Sequence, residues 1–242
     1  MPEITNAEAI KQWSNVPQEL AENFGDEGDF TRRHLLNPAI FALLGDVTGK
    51  TILDAGCGQG YLARLLARKG AVVTGVEPAE QFYAYAAQRE QEEQSGINYI
   101  QEDLSAFTTL TESFDCVIAN MVLMDIPDYV TALRNCVAAL KKGGGLLISL
   151  LHPCFEESGS AWADKGYVEV RDYFRERTVP QRYAPFVHRP LSTYLNAIIQ
   201  AGCMLQQVIE PQLDEEIARQ HQCERYQYVP GYIVIYATKL LL

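Results

Sequence analysis

Positive charge is scarce in this chain. Its 242 residues carry 20 Lys and Arg against 31 Asp and Glu, for a net charge of −11, and no basic run exceeds a pair. Binding a polyanion depends on clustered cations, so nucleic acid and anionic membrane are poor partners for it and a small molecule is the expected one. Long apolar runs are also missing. None approaches the roughly 20 residues that a bilayer-spanning helix needs, so no membrane insertion is expected. The opening residues Met1-Pro-Glu-Ile-Thr-Asn6 have neither the basic nor the apolar region of a signal peptide, which makes a cytoplasmic location the expectation. The six cysteines, at 57, 116, 136, 154, 203 and 223, form no C-x-x-C pair. That spacing speaks against a zinc site or a disulfide framework and for small buried hydrophobes. Internal repeats and low-complexity segments are lacking too. The length suits one sizeable α/β core with elaborations rather than two full domains.

One stretch organises the rest: Thr51-Ile-Leu-Asp-Ala-Gly-Cys-Gly-Gln-Gly-Tyr61, an apolar strand running into a glycine turn that opens a helix. Asp54 ends the strand, and Gly56, Gly58 and Gly60 follow at alternate positions. Such a turn lets the backbone lie directly against a ligand. A dinucleotide fingerprint would read G-x-G-x-x-G, but the last position of that frame is Tyr61. The third glycine arrives one residue early, a departure that suits a cofactor without a pyrophosphate.

Downstream, a second apolar strand, Val72 to Val76, ends in Glu77, about 20 residues past the first glycine, where a ribose-binding carboxylate is expected. A third strand, Ile97 to Ile100, leads to Asp103-Leu104. A fourth, Phe114 to Ala119, delivers Asn120 and Met121 to the same edge. Ligands of open α/β sheets bind at those carboxyl ends. At these positions the chain resembles the class I S-adenosylmethionine-dependent methyltransferases. The resemblance implies a loop, with Asp54 and Cys57 in it, passing under the methionine end of the cofactor. It implies Glu77 and Pro78 at the ribose, and Asp103 and Leu104 at the adenine amino group and ring. Phe82 occupies a position that packs on adenine or ribose in the family, or else belongs to the core. The step Leu140-Lys-Lys-Gly-Gly-Gly145 resembles the family's entry into a fifth strand, here Leu146 to Leu151, and is expected to be a turn.

The implied fold is a Rossmann-like, seven-stranded, mostly parallel sheet with helices on both faces and an antiparallel last strand. Four segments follow: a helical lid at 1–45, the cofactor core at 46–151, a substrate cap at 152–190, and a helix with a strand pair at 191–242 that completes the sheet. The lid reads as helices over 7–13, 17–23 and 31–44, with a flexible acidic loop at Gly25 to Asp29. Trp13, Phe24, Phe30 and Arg33 are its candidates to line the cofactor mouth, Trp13 and Arg33 on the substrate side, with anchoring of the helices to the sheet the alternative for Trp13 and Phe24. The cap carries seven aromatics between Phe155 and Phe186, a possible hairpin arm over Gly166 to Phe174, and Phe155, Tyr183 and His188 as further substrate candidates. Beyond it, Leu191 to Gln200 reads as a helix, and Cys203 to Ile209 and Tyr232 to Thr238 as an antiparallel pair.

Methyl transfer to O, N or C of a small acceptor is the implied activity, with S-adenosylhomocysteine as product. A base is required only where the nucleophile must lose a proton. His152, at the end of the fifth strand, is the best base candidate, because a neutral imidazole takes a proton near pH 7; a structural role for it is the alternative. Asn120 and Asp125 alone do not make the ligand set of a metal-assisted reaction, so no metal is expected. The core and its His-Pro-Cys-Phe155 cap resemble the bacterial small-molecule methyltransferases related to the ubiquinone and menaquinone enzymes. An NAD(P)-dependent oxidoreductase, and an S-adenosylmethionine-binding module without catalysis, are the competing readings. Neither the acceptor nor the oligomeric state is legible.

Overall fold

The computed structural model describes residues 4–108, 110–155, 162 and 166–241. Among the described residues nine strands run in chain order: β1 Thr51–Ala55, β2 Val72–Val76, β3 Asn98–Ile100, β4 Phe114–Asn120, β5 Leu140–Leu151, β6 Arg177–Val179, β7 Phe186–His188, β8 Cys203–Ile209 and β9 Tyr232–Lys239. Seven of them form one sheet in the order β3-β2-β1-β4-β5-β9-β8, with β6 and β7 a separate antiparallel hairpin. The first five pair in parallel, and β9 is antiparallel to both its neighbours. This is the expected Rossmann-like seven-stranded sheet.

Alternation along β1 shows how the two cores are made. Successive side chains of a strand point to opposite faces. Leu53 therefore joins the apolar layer under α6 (Tyr129–Ala139) and α7 (Leu191–Gln200), while Ile52 joins the layer under α3 (Asn37–Leu44) and α4 (Tyr61–Arg68). Both are fully buried. At the amino ends of the strands Asp115 clips three elements together. Its Oδ2 accepts from the Thr51 N–H (2.9 Å) and hydroxyl (2.8 Å), and its Oδ1 from Lys141 Nζ (2.8 Å). Those bonds hold the Asp115 carboxyl down at about 2, with Lys141 the largest cause.

Four local readings are corrected. The expected helix over 31–44 begins as a π-helical turn, Arg32–Leu36, before α3. Pro38 has no N–H to offer the carbonyl four residues back, and the Asn37 N–H reaches instead to the Arg32 carbonyl. The glycine step after α6 is no turn but the opening of β5. Leu140 pairs with Phe114 and Gly145 with Cys116, so the extra residues are absorbed as an irregularity in the ladder, with Gly143 at φ 74°. The hairpin of the cap is β6–β7, downstream of the expected arm, because Asp172 takes φ 50° and breaks extension there. The loop Gly25 to Asp29 is tied down rather than free. Gln59 donates to the Gly25 carbonyl (3.2 Å), Asn37 to the Glu27 carbonyl (2.7 Å), and Arg89 pairs with Asp26 (2.8 Å). Part of the expected cap, 156–161 and 163–165, lies outside the described residues. Among the described residues no helix is long and apolar enough to cross a membrane, and no three His, Cys, Asp or Glu stand together as a metal site would need.

Candidate functional site

A cavity of ≈ 290 Å³ opens at the carboxyl ends of β1, β2 and β4, roofed by α1 (Asn6–Ser14) and by the β6–β7 hairpin segment. Its floor is the glycine loop. Gly56 sits at φ 72° and is pressed so closely by the 121–123 segment that an added Cβ would meet Val122 Cγ2 at 2.3 Å. Gly58, at φ 55°, has nothing within 4 Å of its Cβ position and faces open chamber. Glu77 holds the loop in this shape: its Oε2 accepts from the Gly58 N–H (2.9 Å) and its Oε1 from the Ala79 N–H (2.8 Å). Each oxygen keeps a lone pair for a further donor. Burial raises the Glu77 carboxyl to about 7 against those two bonds.

Asp54 lies beneath the loop. Gly60, the residue before α4, has no side chain to cap the helix, and the Ala63 amide is met by the Asp54 carboxyl instead. Its other oxygen, Oδ2, is buried with no hydrogen-bond partner among the described residues. Burial raises this carboxyl to about 7, with neighbouring Glu77 adding to it. The Cys57 thiol is driven well above its usual range by burial first and by Asp54 and Glu77 next. It stays protonated and is no nucleophile.

At the far wall Asp103 accepts from Ser105 through both oxygens, Oδ1 from the N–H (2.9 Å) and Oδ2 from the hydroxyl (2.6 Å). Asn6 latches α1 over it, donating to Ser105 Oγ (3.0 Å) and accepting from the Asp128 N–H (2.8 Å). Trp13, further along α1, packs on Phe82 at 6.0 Å between ring centres. Thr5 and Glu8 form a reciprocal capping box that fixes where α1 begins.

Asn120 is spent within the protein. Its Oδ1 accepts from the Ser149 hydroxyl (2.6 Å), and its Nδ2 donates to the Tyr61 hydroxyl (2.8 Å), which in turn donates to Asn37 Oδ1 (3.3 Å). The tyrosine in the third-glycine position thus joins β4 and β5 to α3. Next to Asn120, Met121 adopts φ 58°, uncommon for a residue with a side chain. Its N–H is held by the Ser149 carbonyl and hydroxyl, both at 3.0 Å.

Of the twelve cofactor candidates, all but Gly60 line this cavity, as does Trp13. The remaining substrate candidates stand elsewhere. His152 is buried outside the cavity wall: its Nε2 faces Glu210 Oε1 (2.9 Å), its Nδ1 accepts from the Cys154 N–H (3.2 Å), and its ring packs on Phe155 (4.9 Å). With both nitrogens engaged, the placement does not serve a base at the cavity. Phe155 borders a second cavity on the far side of Leu151. Arg33 points outward to Glu27 (2.9 Å). Tyr183 is exposed under Arg182. His188 is buried within β7 with its Nε2 at the Tyr173 carbonyl (2.8 Å). Sequence reasoning missed Arg32, Asp125, Gln181 and Phe186, which do line the cavity. Arg32, beside the Arg33 that was chosen, pairs with Asp29 (2.6 Å) and lies over Phe24 (4.5 Å). Asp125 was weighed in the sequence only as a metal ligand, with Asn120.

Residues 53–148 match the model of a methyltransferase domain family. In the same span lie the glycine loop, Glu77, Asp103 and the Asn120 edge. A crystal structure of an S-adenosylmethionine-dependent methyltransferase from Mesorhizobium loti superimposes with a TM-score of 0.74 at 26% identity, over 84% of this chain and 96% of that one. This span is similar to the class I S-adenosylmethionine-dependent methyltransferases. Among curated relatives, a ubiquinone biosynthesis O-methyltransferase of Coxiella burnetii is 31% identical over 152 residues, 62% of this chain and 64% of that one. Its counterpart in Glaesserella parasuis is 34% identical over 156 residues, 57% of this chain and 66% of that one. The chain thus spans just under two thirds of the length of the curated relatives it matches. The cavity also fits that family's cofactor by its own chemistry. The unpartnered Asp54 Oδ2, the free lone pairs on Glu77 and the open space above Gly58 leave acceptors and room where a ligand rich in hydroxyl and ammonium donors would lie.

Proposed function

We propose that the chain is a methyltransferase acting on a small molecule, with S-adenosylmethionine in the cavity and an oxygen of the acceptor as the atom methylated. The single observation that carries this reading is the convergence of the glycine loop, Glu77 and Asp103 on one cavity at the carboxyl edge of the sheet. The preference for oxygen leans on the names of the curated relatives, which are O-methyltransferases.

In this reading Glu77 receives the two ribose hydroxyls, Asp103 the adenine amino group, and Leu104 and Phe82 sandwich the ring. Gly56 to Gly58 and Asp54 hold the amino-acid end. The bound cofactor supplies a methyl group on a cationic sulfur. The chain contributes position, exclusion of water and charge. Fixing donor and acceptor in line converts an encounter in solution into a unimolecular step. Met121, Val122, Met124, Ile126 and Phe186 make the acceptor side apolar, and a dry site strengthens every electrostatic contact within it. Asn6 closes α1 over the mouth through Ser105 and Asp128.

The test is Glu77→Ala titrated with S-adenosylmethionine. Loss of two charge-assisted hydrogen bonds, each worth about 1.5–3 kcal/mol, predicts at least a hundredfold weaker binding. Unchanged affinity would remove the ribose assignment.

A further inference from the structure

Asp125 is the one carboxylate of the cavity for which the cofactor reading has no use. It ends a short 3-10 turn, Leu123–Asp125, that leads to α6. Its side chain has no hydrogen-bond or ion-pair partner among the described residues, and it lines the chamber among Val122, Met124, Ile126 and Phe186. The turn is braced from behind. Arg189, fully buried, donates through Nη1 to the Leu123 carbonyl (3.3 Å) and through Nη2 to those of Ile126 (2.9 Å) and Pro127 (3.0 Å), and it lies over the Tyr129 ring at 4.2 Å. Three bonds to carbonyls on both sides of Asp125 spend that guanidinium on the backbone and leave the carboxyl unpaired. A half-buried carboxyl without a partner is left without the hydrogen bonds that would offset its partial desolvation. A rigid turn that holds it over a cavity marks it for a ligand's donor.

Resting on the methyltransferase reading, we propose that the Asp125 carboxylate binds the hydroxyl of the methyl acceptor and takes its proton during transfer. The acceptor class is then a hydroxyl on an otherwise apolar, ring-like body. As the acceptor oxygen forms its bond to the methyl carbon, the carbon–sulfur bond breaks and its electron pair stays on sulfur, which becomes a neutral thioether. The O–H proton passes to Asp125, which returns it to solvent after product leaves. Charged groups that act on Asp125 from the surrounding elements are Arg32, Glu77 and Arg189, and burial outweighs the two cations, so the carboxyl titrates at about 8. A base in that range is matched to an acidic hydroxyl of phenolic type rather than to an alkyl alcohol.

The experiment uses full-length protein saturated with S-adenosylhomocysteine and two probes of one ring body, 2-naphthol and naphthalene, titrated by fluorescence. Wild type should prefer the hydroxyl probe by about tenfold or more, since a hydrogen bond to a charged group is at stake. That preference should grow as pH rises through about 8 and Asp125 ionises. Asp125→Ala should abolish the preference. Asp125→Asn, which keeps the shape and one acceptor oxygen, should retain a smaller preference with no pH dependence. Both variants should bind S-adenosylhomocysteine within about twofold of wild type, which also certifies their fold. A hydroxyl preference that survives in Asp125→Ala, or no preference in wild type, overturns the proposal. Failure of wild type to bind S-adenosylhomocysteine overturns the functional reading itself, and the proposal falls with it.

Discussion

Alanine at Gly56 and alanine at Gly58 should fail in different ways, although the residues are two apart in one loop. At Gly56 the new Cβ would lie 2.3 Å from Val122 Cγ2 and 2.9 Å from its Cβ, in a backbone at φ 72°. The left-handed conformation costs an L-residue about 1 kcal/mol, and forcing apart a packed contact costs about 1–3 kcal/mol more. The expected loss is about 2–4 kcal/mol, or roughly 5–15 °C in melting temperature for a chain of this size. At Gly58 the backbone cost is similar, about 1 kcal/mol, but the Cβ meets nothing within 4 Å. Gly58→Ala should therefore melt within about 4 °C of wild type. Its methyl instead fills space that the ligand needs, so its affinity for S-adenosylhomocysteine should drop by at least about tenfold. Thermal melts of the two variants, each paired with a calorimetric titration, read both quantities. Equal melting temperatures would refute the contact argument. An unchanged affinity in Gly58→Ala would refute the placement of ligand over the loop.

Three further outcomes follow from the site. Asp54, Glu77 and Asp125 are raised to about 7, 7 and 8 in the folded chain, so the folded state binds more protons than the unfolded one between pH about 4 and 8. Stability of the ligand-free protein should fall as pH rises across that window, by up to about 1.4 kcal/mol per pH unit for each such group; urea titrations at pH 5 to 8 check the sign, and a rise would contradict it. Asn6→Ala removes the bonds to Ser105 and Asp128 that hold α1 over the cavity, and should speed release of S-adenosylhomocysteine several-fold in stopped-flow measurements with little change in melting temperature. His152→Ala removes a buried ring bonded to Glu210 and Cys154, and should lower the melting temperature while leaving S-adenosylhomocysteine affinity within about twofold.

The glycine-loop half of the cavity was legible because each of its signals is local. A strand end, three glycines and a carboxylate at a set distance are all short-range patterns, and parallel pairing brings the successive strand ends to one edge. The opposite half was not. Whether His152 reaches the cavity is decided by Glu210, on the far side of α7, and no spacing in the chain announces that contact. His188 stood among the cap's substrate candidates, yet the β6–β7 pairing buries it against Tyr173. Arg33 was chosen over Arg32 because the two are adjacent and the π-helical turn that decides which faces inward depends on Pro38. Tyr61 was read only as a departure from a dinucleotide motif. Its hydroxyl bridge between Asn120 and Asn37 needed both partners in space. Asp125 was weighed only as a metal ligand, since the brace that Arg189 provides comes from more than sixty residues away.

The measurement that bears most directly on the central claim is calorimetric titration of the purified protein with S-adenosylmethionine, S-adenosylhomocysteine and NAD in parallel. The account predicts binding of the first two with dissociation constants on the order of micromolar, at about −8 kcal/mol, and none of the third. Tight binding of NAD, with no heat from the sulfonium compound or its product, would contradict it and overturn the reading of the glycine loop.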